Sequence, residues 1–255
     1  MKLAPELAAD APLYRGVKQA LTQRLAAGRW APGEALPSEA RLAEQYRVSI
    51  GTVRKAVDDL VSQHVLVRRQ GRGTFVALHD ASRLLHQFFR VVRRDGEQQL
   101  PDAELVGFGR GRATADEASR LRVETGAGVI RIRNLLRLAG RPVVADDIVL
   151  PAALFPDLTR KVLSARENTI YNLYQTRYGI NVVRAVEHLR AATADRVVAK
   201  LLEVAPGAAL LEIERVALTY RDAPVEWRRS LVNTSQHDYL SVLDKPRSAM
   251  VRTMA

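Results

Sequence analysis

Two stretches of this chain are versions of one another, and the duplication restricts how its second half can fold. ASRLRVETGAGVIRIRNLLRLAGRPV, from Ala118, aligns with AKLLEVAPGAALLEIERVALTYRDAPV, from Ala199, with one added residue in the second copy. In each, a short helical run precedes a glycine turn, a long β-rich run, a hairpin turn and a strand led by proline. A further strand comes before each copy, AELVGFGRG and VVRAVEHLRAA. Pairing the two units across a shared sheet, mixed or antiparallel, predicts one α+β domain, with connecting helices over 152–165 and 169–178. GFGRGR, within the first of those strands, imitates an RNA-binding Gly-Arg tract. A single occurrence reads instead as a strand ending before a helix capped by Thr114 or Asp116.

The first 78 residues have a different rhythm. Leu13, Tyr14, Val17, Ala20, Leu21 and Leu25 recur at the spacing of one helix face, which Gly28 ends. Ser38 can cap a second, short helix carrying Leu42, Ala43 and Tyr46, and Ser49 a third with Val53, Ala56, Val57 and Leu60 as its apolar stripe. Thr52, Arg54 and Lys55 lie off that stripe. Two helices joined by a turn of about three or four residues, with basic groups at the start of the second, predict a helix-turn-helix whose second helix enters a major groove. VRRQGRGTFV then places a glycine turn between two β-rich runs. A nucleotide-binding glycine loop would pass from strand into helix, and here strand follows.

A length of 255 residues suggests two domains, and the net charge of +11, carried mostly by arginine, favours an anionic partner, nucleic acid first. The absence of cysteine removes disulfides, thiolate metal sites and cysteine nucleophiles together. His64 sits where a helix-ending glycine is common and is read as structural, and His79 and His86 have no third ligand nearby, so no metal or other cofactor is expected. The start lacks a secretory apolar run and no later segment approaches a membrane span, so the expectation is a soluble, cytoplasmic protein with no membrane partner.

LYRGVKQAL, WAPGEALPSEARLAE, VSIGTVRKAVDDL and LVRRQGRGTFV, in this order and spacing, resemble the winged helix of the GntR family of bacterial transcription regulators. AGRPVVADDIVLPAALFPDL, TIYNLYQTRYG and YRDAPVEW resemble the UTRA domain, the effector-sensing half of the HutC-type branch, which has a chorismate-lyase-like fold. The division implied is a winged helix-turn-helix over 1–78, a linker over 79–92 with a helix and an aromatic cluster at Phe88 and Phe89, a UTRA-like domain over 93–246 and a tail over 247–255. The resemblance implies a homodimer, a palindromic double-stranded DNA operator and a small-molecule effector. Its expected DNA contacts are Ser38, Arg41, Ser49, Thr52, Arg54 and Lys55, with Arg69, Gln70, Gly71, Arg72 and Gly73 in the wing. Ile50 and Ala40 stand where the family often has arginine, which alters the operator sequence expected.

For the effector the resemblance implies Asn134, Asp146, Thr169, Tyr171, Glu226 and Arg228. Members that sense sugar phosphates carry an Arg-x-Arg pair where this chain has Asn134 and Leu136. Arg131, Arg133 and Arg137 have the opposite strand parity, which argues against a phosphorylated sugar unless a bulge shifts the register. Asp146 and Glu226 are read as acceptors for a polar effector, or as partners in surface salt bridges, in preference to a catalytic pair. The competing functions are an enzyme, since the second fold is shared with a lyase, and an architectural DNA-binding protein without effector.

Overall fold

A computed structural model describes residues 12–242; the anticipated tail, 247–255, lies outside the described residues. The N-terminal part contains α1 (Leu13–Ala26), α2 (Glu39–Tyr46), α3 (Ile50–Ser62), β1 (Leu66–Arg69) and β2 (Gly73–Val76). The apolar stripes read from the sequence meet in one core, with Val17, Leu21, Leu42, Val53, Val57 and Leu60 almost fully buried and Trp30 closing one side. Ser38 accepts the amide of Arg41 and Ser49 that of Thr52, so both anticipated caps form. His64, at φ +55°, takes the left-handed position that ends α3.

Strands β1 and β2 pair antiparallel, Leu66 opposite Val76, and Arg69 opposite Gly73 across the turn. Gly71 and Gly73 have φ of +69° and +107°, and a Cβ at either would meet nothing within 4 Å. Backbone conformation, and not crowding, is what calls for glycine there.

The segment 79–92 is integrated into the second domain. Ala81–Arg83 (α4) continues into a π-helical turn, Leu84–Phe88, and Val91–Arg93 (β3) pairs with His237–Tyr239 (β10). Phe88 and Phe89 enter two separate apolar cores of that domain.

The duplicated units build a six-stranded sheet from β4 (Asp102–Arg112), β5 (Gly128–Leu138), β6 (Arg141–Pro151), β7 (Arg184–Thr193), β8 (Ala209–Leu218) and β9 (Pro224–Val232), in the order β4-β5-β6-β9-β8-β7. Every pairing is antiparallel, which corrects the mixed alternative: hairpins join the strands within each copy, and the copies meet through β6 and β9. The likeness extends to the turns. Thr114 and Asp195 cap α5 (Ala115–Leu121) and α8 (Arg196–Leu202), Arg122 and Glu203 end them left-handed, and Gly126 and Gly207 turn at φ +83° and +81°.

The helices are exchanged across the pseudo-symmetry. Ala118 and Leu121 of α5 pack with Trp227 of β9, and Ala199 and Leu202 of α8 pack with Ala145 of β6, so each copy's helix covers a strand of the other. The expected helix over 152–165 is broken. Ala152–Leu154 forms one 3-10 turn, Phe155 is buried and α6 begins only at Arg160, because Pro156 has no amide to continue the helical ladder. The helix expected over 169–178 forms as α7 (Ile170–Tyr178), capped by Thr169.

GFGRGR lies within β4. A Cβ on Gly111 would meet the Arg131 guanidinium at 2.5 Å, and one on Gly107 the Cβ of Arg133 at 3.1 Å. These glycines make room for the arginines of the neighbouring strand.

Candidate nucleic-acid interface and effector cavity

Glu39, at the start of α2, gathers basic side chains from α3 and β1. It accepts from Arg54 Nε at 2.8 Å and from Arg68 of β1 at 2.7 Å, tying the recognition helix to the wing. Arg54 remains 61% exposed, so this exposed pair can open at small cost when a base or phosphate is offered. Ile50 projects from the first turn of α3, 46% exposed. Arg41 is exposed at the start of α2, and the hydroxyls of Ser38, Ser49 and Thr52 serve the helix starts, Ser49 Oγ also lying 2.9 Å from Thr52 Oγ1.

Lys55, expected among the DNA contacts, has its ammonium 4.2 Å from the ring centroid of Tyr14 on α1. In the wing Arg69 stacks over Phe75 at 4.7 Å, while Gln70, Gly71, Arg72 and Gly73 are exposed. Arg68, absent from the expected set, was legible only as one of two adjacent arginines; strand pairing decides that it turns toward Glu39.

The second site grows from strand parity. Register aligns Asn134 with Asp146, Asp146 with Ser230 and Ser230 with Ile213, and in the next row Ile148 with Arg228 and Arg228 with Arg215. These rows cross the central strands on one face of the sheet, over the seam between the copies. All of these residues but Ile148 line a cavity of about 510 Å³, to which Ala81, Leu84, Phe88, Arg166, Thr169 and Tyr171 also contribute. Asn134, Asp146, Thr169, Tyr171 and Arg228 thus come together in its lining.

Glu226 does not join them. It is fully buried behind the wall, where it accepts from Tyr171 and Tyr174 hydroxyls at 2.9 Å each and from Arg228 at 3.0 and 3.1 Å. Burial pushes its carboxyl up, but Arg228 and the two tyrosines outweigh that and hold it below the usual range. Asp146, 1% exposed, accepts from Arg228 at 3.0 Å and from the Ser230 hydroxyl. The surface salt bridges expected for these acids are therefore buried ones, and Arg228 bridges both.

Arg131 and Arg133 pair with Glu117 and Asp147 on the opposite face, and Arg137 with Glu104. Register shifts do occur, between Leu105 and Gly107 and between Leu136 and Arg137, yet none of these arginines reaches the cavity. Ser230 was findable from the parity of Arg228. Arg166 lies in an irregular segment and had no periodic signal.

A third group joins the domains. Gln175 of α7 donates to Ala77 O at 2.9 Å and accepts the His79 amide at 3.0 Å, and Thr169 Oγ1 donates to His79 O at 3.3 Å. The His79 ring, 2% exposed, donates to Asn181 at 2.7 Å, and burial followed by the charge of Arg83 lowers its pKa to about 3.

A winged helix with exposed arginines, fused to a duplicated sheet that lines a cavity with both apolar and charged side chains, defines a DNA-binding regulator with a small-molecule domain. Residues 13–76 match the bacterial regulatory proteins of the gntR family and residues 97–238 the UTRA domain, and the chain belongs to that family of transcription regulators, not to an enzyme family. It is 29% identical over 213 residues to the "Probable fructoselysine utilization operon transcriptional repressor" of Escherichia coli (strain K12), covering 84% of this chain and 87% of that one. It is 25% identical to the mannosyl-D-glycerate transport/metabolism system repressor MngR of the same strain, covering 93% and 98%. The crystal structure of the ligand-binding domain of a GntR-family regulator from Bordetella bronchiseptica superposes with a TM-score of 0.59 at 35% identity, over 62% of this chain and 99% of that one. Among the described residues no helix is long and apolar enough to cross a membrane.

Proposed function

We propose that the chain is a cytoplasmic repressor whose homodimer places two winged helices on a palindromic operator, and that a small metabolite in the cavity changes its affinity for that operator. The observation that carries this reading is the double engagement of Thr169. It lines the cavity and bonds to His79 O, on the segment by which the winged helix enters the second domain. Ala81 and Leu84, further along that segment, line the cavity too. A ligand that binds better to one setting of this segment shifts the population of winged-helix arrangements, and operator affinity follows by linkage. Two-fold symmetry of the dimer would fix the half-site spacing.

On the DNA side, Ser49, Thr52 and Arg54 address the major groove and Arg72 the flank, while Ser38 and Arg41 suit phosphates. Lys55 contributes only if it leaves Tyr14. The test is an operator selected from random duplexes with the full-length protein and titrated by fluorescence anisotropy. Arg54→Ala should weaken binding by about 1–3 kcal/mol. Unchanged affinity would show that α3 has been docked the wrong way round.

A further inference from the structure

The arginines that line the cavity differ in the company they keep. Arg228 lies between Asp146 and Glu226, and Arg215 between Glu187 and the Phe88 carbonyl. Arg90 sits close enough to Glu187 to lower the pKa of that acid. Arg166 faces no carboxylate within salt-bridge distance among the described residues; its partner is the Leu163 carbonyl, at 2.6 Å. Burial lowers the pKa of Arg166, and the positive charge of Arg228 lowers it further. A half-buried guanidinium beside another cation, with one carbonyl for company, is an incomplete arrangement.

A second incomplete group lies in the same lining. Asn134 is 5% exposed and, among the described residues, its Oδ1 has no donor. A buried acceptor without a donor is costly, and Asn134 belongs to the lining of the cavity of about 510 Å³.

We propose that the effector is a small organic acid, with its carboxylate held by Arg166 and a hydroxyl, amide or ammonium donor meeting Asn134 Oδ1. This deepens the reading of the cavity as the effector site and rests on it. A carboxylate fits one guanidinium as a two-pronged acceptor and gives Arg166 the acidic partner it lacks among the described residues. A phosphate monoester would bring close to two charges, and the remaining cavity arginines already face acids. Leu84, Leu136, Val144 and Ile213 line other parts of the wall and suit the carbon skeleton of such an acid.

The experiment is a melting-temperature screen of the full-length protein against three panels: sugar and hydroxy acids, the primary amides of the same acids, and sugar phosphates. At least one acid should raise the melting temperature by several degrees while its amide does not. Arg166→Gln should lose at least tenfold in affinity for that acid, with Arg166→Lys in between, and should melt without ligand no lower than wild type, since the cation it removes is unpaired. A response confined to neutral compounds or phosphates, an acid bound equally by Arg166→Gln, or no response to any acid overturns the proposal. If a neutral compound both shifts melting and changes operator binding, the cavity remains the effector site and only the acid assignment falls. If no compound in any panel does either, the effector reading falls with it.

Discussion

Replacing Glu226 by glutamine tests whether the wall of the cavity is held by a buried charge. The carboxylate accepts four hydrogen bonds, two from Arg228 and one each from Tyr171 and Tyr174, and the residue is 0% exposed. Glutamine keeps one oxygen. Its amide nitrogen would be presented to a tyrosine hydroxyl and a guanidinium N–H, so about two bonds with charged character are lost, each contributing on the order of 1.5–3 kcal/mol. Breaking a buried pair costs about 3–5 kcal/mol, and because Arg228 keeps Asp146 the lower end, about 3 kcal/mol, is expected. At roughly 2–4 °C per kcal/mol for a protein of this size, the melting temperature should drop by about 6–12 °C. Urea unfolding in a Trp30→Phe background, where Trp227 is the remaining tryptophan, reports on this domain. The double variant Glu226→Gln/Arg228→Met should lose less than the sum of the singles, by about 1–3 kcal/mol. A loss below about 1 kcal/mol for Glu226→Gln, or strict additivity, would refute the buried network as the wall's support.

Acid should loosen the junction between the domains. The pKa of His79 is lowered from 6.5 to about 3, so as pH falls below about 6.5 the unfolded chain takes up a proton that the folded one refuses, and stability declines. By pH 5.5 the loss should reach about 1.4 kcal/mol, and His79→Gln should remove this pH dependence in urea titrations. In the wing, Arg72→Ala should reduce the slope of log affinity against log salt by about 1 while leaving sequence preference intact; an unchanged slope removes Arg72 from the phosphate contacts. Ile50→Arg, at an exposed position that carries no core packing, should shift the selected operator toward guanine at one position per half-site, by about 1–3 kcal/mol. Identical selected operators would mean that the first turn of α3 does not reach base edges.

The sequence by itself determined whatever rests on local geometry. Helix caps at Ser38, Ser49 and Thr114, the left-handed His64 and the glycine turn of the wing depend on neighbours a few residues away, so they were legible in order along the chain. The duplication was legible for the same reason, since each copy repeats the same cap, helix end and turn. Strand parity also correctly kept Arg131 and Arg133 out of the cavity. What only the tertiary structure decided is where the charges meet and which are left over. Parity puts Asp146, Glu226 and Arg228 on one face, but antiparallel register across the seam of the copies makes Arg228 their common partner and puts Glu226 behind the wall. Lys55 turning to Tyr14, Arg54 meeting Glu39 and Arg166 finding no acid follow likewise from elements distant in sequence. A charge's worth depends on its burial and its partners, and both are set only when the chain has closed on itself.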